Sequence, residues 1–150
     1  MISKYFTIED LTRSATAKRL GIDNRAKVEH QKALAALANN VLDKLYDHFN
    51  RNINITSGYR SEALNNAIKG SSLTSQHCKG EAADITGVGS VKNAEIFNYI
   101  KDNLDFDQLI WEHGNVYEPD WVHVSFKPLN RRQILVAYKD GKTTKYKTYK

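Results

Sequence analysis

The hydrophobic pattern changes its period near residue 50, and few folds accommodate such a change. Before it, Leu34, Leu37, Ala38, Val41, Leu42, Leu45 and Phe49 recur three and four residues apart. That spacing is one apolar face of a helix, so a scaffold helix is expected from roughly Lys27 to Phe49. After it, apolar residues alternate or come in short runs: Ile53 to Thr56, Ala82 to Ile85, Gln108 to Glu112, Trp121 to Phe126 and Gln133 to Tyr138. Such runs between turn residues read as strands. Helices first, then strands with helices inserted, predict an α+β fold with a mainly antiparallel sheet.

Punctuation along the chain refines this. Thr7 can cap a first short helix through Asp10, Ser14 can start a second, and Gly21 can stop it. Ser61 opens a short helix to Ile68, and Gly70 to Gly80 is a polar loop. A further helix is expected from Val91 to Lys101, with Ala94, Phe97 and Ile100 as its apolar stripe. Asp140-Gly141 is a strong hairpin turn, with Lys142 to Tyr149 as the return strand. The 150 residues suit one domain, with the motif-bearing part at about 53–126 and a basic hairpin at about 133–149.

The single Cys excludes an intramolecular disulfide. The first ten residues hold no apolar signal region, and no run approaches the roughly 18 apolar residues of a membrane span. The expectation is a protein made in the cytoplasm without a leader and with no membrane span. Net charge is +5, which favours anionic partners. The excess lies in Lys139, Lys142, Lys145, Lys147 and Lys150, without a nucleic-acid-binding motif, so a solvated hairpin and no nucleic-acid partner are expected. His30 and His48 read as surface histidines of the scaffold helix.

Two segments carry chemistry. In Ser75-Gln76-His77-Cys78-Lys79-Gly80-Glu81-Ala82-Ala83-Asp84, His77 sits in a polar loop and Asp84 on a strand of small residues. A carboxylate there needs a partner, because an unpaired buried charge is expensive. In Asp120-Trp121-Val122-His123-Val124-Ser125-Phe126, His123 shares its strand face with Trp121 and Ser125. His77, Asp84 and His123 form the set of three protein ligands that a catalytic zinc uses, with water in the fourth position. Asp120 stands at the mouth of the last strand, where it can take a proton. The residues alone leave a second reading open, in which these histidines are hydrogen-bonded core groups.

Ser75-x-His77-x-x-Gly80-x-Ala82-x-Asp84 followed by Asp120-x-x-His123 resembles the zinc peptidases of bacterial cell walls. That family includes D-alanyl-D-alanine carboxypeptidases, D,D-dipeptidases and phage L-alanyl-D-glutamate endolysins, and its fold is shared with the Hedgehog signalling domain. Ser57-Gly58-Tyr59-Arg60-Ser61 resembles the family's segment with a substrate-binding arginine, and Asp107 to Glu112 its strand before the second motif. The resemblance implies one zinc ion on His77, Asp84 and His123. It implies Asp120 as general base and Arg60 as the grip on a substrate carboxylate or carbonyl. Ser75, Gln108, Glu112 and Trp121 are then expected to touch substrate or orient the ligands, Glu112 by accepting a hydrogen bond from a ligand histidine. Some relatives carry a second His where this chain has Trp121, which leaves oxyanion stabilisation to Arg60, the zinc or His113. Cys78, beside His77, is not expected to be a fourth ligand.

The function implied is hydrolysis of a peptidoglycan stem peptide, at D-Ala-D-Ala or L-Ala-D-Glu, by a monomeric phage or prophage endolysin-like enzyme. It would act at the cell wall after release or as a virion component. The alternative is a non-catalytic zinc module of the Hedgehog-like or virion structural kind.

Overall fold

The computed structural model describes residues 1–68 and 75–150. Gly70 to Thr74, the first part of the expected polar loop, lie outside the described residues. Two short helices open the chain, α1 (Ile8–Thr12) and α2 (Ala15–Leu20). Thr7 and Asp10 cap α1 reciprocally, each side chain accepting the other's backbone N–H. Ser14 accepts the Ala17 N–H, and Gly21, at φ +67°, ends α2.

The scaffold helix runs from Val28 to His48 as α3 (Val28–Leu37), a π-helical stretch (Ala38–Leu42) and α4 (Asp43–His48). Periodicity did not foresee the π stretch, but the asparagines explain it. The Asn39 and Asn40 side-chain amides donate to the carbonyls of Ala35 and Ala36, at 2.7 and 2.8 Å. Those are the acceptors of the i→i−4 ladder, so the side chains compete with the backbone where it widens, and the Asp43 N–H closes the stretch on Ala38 O. The apolar face still stays buried, from Leu34 through Leu45.

Six strands form one mixed sheet: β1 (Ile53–Ser57), β2 (Ala82–Gly87), β3 (Gln108–Glu112), β4 (Trp121–Ser125), β5 (Gln133–Asp140) and β6 (Thr143–Thr148). Their order is β1-β2-β4-β3-β5-β6. Every pairing is antiparallel except β3 with β5. That parallel pair refines the expected topology and has a simple cause. β4 is already paired on both edges, so the chain leaving it must cross to the open edge of β3. The Arg132 N–H to Phe106 O and Gln133 N–H to Asp107 O bonds tie down the crossing. Asp140-Gly141 makes the β5–β6 turn, with Gly141 at φ +64°.

Two further helices link the strands, α5 (Glu62–Ala67), capped by Ser61, and α6 (Asn93–Asn103). The latter starts two residues later than its apolar stripe suggested. Strand alternation splits the sheet into two unlike faces. Ala83, Ile85, Leu109, Trp111, Val122 and Val124 point at the helices and join Leu34, Leu37, Leu42, Ile96, Phe97 and Ile100 in the core. The opposite face presents Asp84, Ile110, Glu112 and His123. Among the described residues, no helix is long and apolar enough to cross a membrane.

Candidate metal centre

His77 is placed by a short 3₁₀ turn, Gln76–Lys79. Ser75 Oγ accepts the His77 N–H, and Gly80 closes the turn at φ +74°. A side chain at Gly80 would put its Cβ 2.4 Å from the His30 carbonyl oxygen, so the turn needs glycine for space as well as conformation. The turn is knitted to the chain after β1: the Arg60 N–H donates to His77 O, and His77 Nδ1 lies 2.7 Å from Gly58 O. A carbonyl can only accept, so Nδ1 donates to it and Nε2 is the ring nitrogen turned towards Asp84.

Register supplies the other two groups. Asp84 of β2 stands opposite His123 of β4 in the antiparallel ladder. Asp84 Oδ1 lies 3.3 Å from His77 Nε2 and 3.2 Å from His123 Nδ1. All three residues are buried, and their ligand atoms lie within 4.8 Å of one another. Burial alone would raise the Asp84 pKa. The charge and hydrogen bonds of His77 and His123 outweigh it and hold the carboxyl well below the usual range.

The set fits a zinc ion. Ligand atoms about 2.0–2.1 Å from a shared tetrahedral ion lie roughly 3.3 Å apart, as Asp84 Oδ1 lies from each histidine. In this arrangement His123 faces Asp84 through Nδ1, and its other ring nitrogen, Nε2, is buried without a hydrogen-bond partner among the described residues. The Gly58 carbonyl orients the ligand His77, as metal-bound histidines require.

The ligands open into a cavity of about 600 Å³. Arg60, Ser75, Gln108, Glu112, Trp121 and His113, all singled out from the sequence, line it. The Arg60 side chain is 15% exposed; its Nη2 lies 3.4 Å from Asp84 Oδ2 and its Nε donates to Ser57 Oγ. Its Nη1 makes no hydrogen bond among the described residues. Gln108 donates to Gln133 Oε1. Glu112 is buried yet accepts no hydrogen bond among the described residues; His113 Nε2 lies 3.8 Å from its Oε2. The expected bond from a ligand histidine to Glu112 is therefore not made. Burial pushes the Glu112 carboxyl up to about 7; Asp84 adds to this, and His123 and Arg60 oppose it.

Asp120 lies elsewhere. It is exposed, its N–H donates to Glu112 O, and it lines a second depression with Trp111, Val136 and Tyr149. Cys78 is not in the ligand group, and burial raises its thiol pKa. Leu135, Lys139, Thr144 and Tyr146 complete the cavity wall from β5 and β6. Sequence reasoning took this hairpin for a solvated basic arm. Its alternation placed those residues on one face, but nothing in it revealed that β5 pairs with β3.

The chain matches the family model described as Peptidase M15 over residues 4–125. No curated protein matches it.

Proposed function

Since the chain belongs to the M15 peptidase family, a family of zinc-dependent peptidases, we propose that it hydrolyses a peptidoglycan stem peptide. Zinc bound by His77, Asp84 and His123 would polarise the scissile carbonyl and bring the pKa of water towards neutrality.

One observation carries the choice of substrate. Arg60 puts a nearly buried guanidinium beside the ligand Asp84, with Nη1 uncommitted. A planar fork in that position suits a carboxylate close to the scissile bond, held through charge-assisted hydrogen bonds. Stem peptides offer such groups, either the terminal carboxylate of D-Ala-D-Ala or the carboxylate next to an L-Ala-D-Glu bond. Lys139 adds a second cation on the β5 side of the same cavity. Ser75, Gln108 and Trp121 supply polar and aromatic contacts for the peptide backbone. The reading extends to a monomeric, endolysin-like enzyme of phage or prophage origin acting at the bacterial cell wall.

The test is to incubate zinc-loaded protein with purified muropeptides and weigh the products. A fragment that appears with the wild type and not with His123→Ala supports the reading, and its mass selects the bond. Arg60→Met should raise KM most for peptides bearing that carboxylate. Intact muropeptides throughout would refute this substrate class and favour a non-catalytic zinc module.

A further inference from the structure

We infer that Glu112 accepts the proton from the attacking water and delivers it to the leaving nitrogen, an inference that rests on the peptidase reading above. Its position is the first ground. Ile110 stands opposite His123 and Glu112 opposite Trp121, so alternation sets Glu112 one step along the ligand face from His123. Its side chain is 9% exposed and lines the same cavity as all three ligands.

Its lack of partners is the second ground. A carboxylate this buried normally has hydrogen bonds, because leaving it bare costs free energy. Glu112 has none among the described residues, and it caps no helix. Apart from His113 Nε2, 3.8 Å from Oε2, its oxygens are left to whatever enters the cavity.

The third ground is Asp120, the acid that spacing favoured. It precedes β4, is exposed and lines the second depression and not the ligand cavity, and its main chain is bonded to Glu112 O and to the Asn93 amide. The chemistry then balances on one carboxylate. Water adds its oxygen to the acyl carbon and gives one proton to Glu112. The C–N bond breaks as Glu112 passes that proton to nitrogen. Glu112 returns to the carboxylate, and the products are an acid and an amine.

The test follows a proton and needs no turnover. Acetohydroxamic acid, a neutral weak acid, gives up a proton when it binds zinc. A nearby carboxylate keeps that proton in the site; without one, the proton goes to the buffer. Calorimetric titration in two buffers of different ionisation enthalpy counts it. Zinc-loaded wild type and Asp120→Asn should release close to none, and Glu112→Gln roughly one. Glu112→Gln should keep its zinc and, on any peptide that is cleaved, lower kcat by roughly 10²–10⁴-fold with little change in KM.

Release from Asp120→Asn but not Glu112→Gln would transfer the role to Asp120. Release from the wild type, failure of zinc-loaded protein to bind acetohydroxamate, or loss of zinc from Glu112→Gln would each overturn the inference. Proton retention by Glu112 alongside intact muropeptides would refute the substrate class and leave Glu112 in place.

Discussion

Asp107 is expected to hold together the crossing that makes the sheet mixed, and Asp107→Asn should cost about 2–3 kcal/mol at pH 7. The residue precedes β3 and is fully buried. Its Oδ1 accepts the Arg131 N–H and Nε, both at 3.0 Å, and its Oδ2 accepts Arg131 Nη2 at 2.8 Å and Gln76 Nε2 at 2.9 Å. Two routes give the magnitude. The Arg131 hydrogen bonds lower the carboxyl pKa from 3.8 to about 2, and at about 1.4 kcal/mol per unit this is roughly 2–3 kcal/mol. Alternatively, each charge-assisted bond contributes about 1.5–3 kcal/mol. Asn keeps one acceptor oxygen, and the half-exposed Arg131 regains water, which brings the loss to a similar figure.

The sign is definite. The folded pKa is depressed, so the stabilisation is complete above the unfolded-state value near 4 and disappears as pH falls through about 2. By pH 3 roughly half of it should be gone. Urea denaturation of wild type and Asp107→Asn at pH 7, 5 and 3, at constant ionic strength, measures this directly. A gap below about 0.5 kcal/mol at pH 7, or one that does not shrink at pH 3, would refute the argument. Gln76 adjoins the ligand His77, so the same variant should also weaken zinc binding, by roughly 10-fold.

Saturating zinc should raise the melting temperature by roughly 10 °C at a thousand-fold excess over Kd; a chelator should reverse the rise and His123→Ala abolish it, as read by calorimetry. Gly80→Ala combines φ +74° with a Cβ 2.4 Å from a carbonyl oxygen, so it should lose about 2–3 kcal/mol and weaken zinc binding. Gly141→Ala, with φ +64° and open space around it, should lose only about 1 kcal/mol and leave zinc affinity unchanged. Phe97 is fully buried against Trp111 and Tyr149; Phe97→Ala should cost about 3–5 kcal/mol in urea denaturation, with unchanged zinc stoichiometry.

Much of this molecule can be read from local pattern. The helix caps at Thr7, Ser14 and Ser61, the scaffold helix, all six strands and the Asp140-Gly141 turn follow from residue type and period, because each depends on neighbours a few positions away. The group His77, Asp84 and His123, which the fold brings together and which could hold a metal ion, was legible for a different reason. Their residue types left two readings, hydrogen-bonded core groups or metal ligands, and the resemblance of the flanking motifs favoured zinc.

What the local pattern did not contain was set by pairing between distant segments. Spacing put Asp120 near His123 along the chain, while antiparallel register and strand alternation turn Glu112 into the cavity and Asp120, in the bend before β4, lines the neighbouring depression. The same holds for the basic hairpin. Its lysines are exposed, as their charges predicted, while the parallel pairing of β5 with β3 also makes Leu135, Lys139, Thr144 and Tyr146 a wall of the cavity. Sequence by itself determined which residues have the chemistry to bind a metal, because ligand character belongs to the side chain. Only the tertiary structure decided which acid stands beside that metal site, because facing is a property of register, and register is settled by which strand edges remain open when the sheet closes on its core.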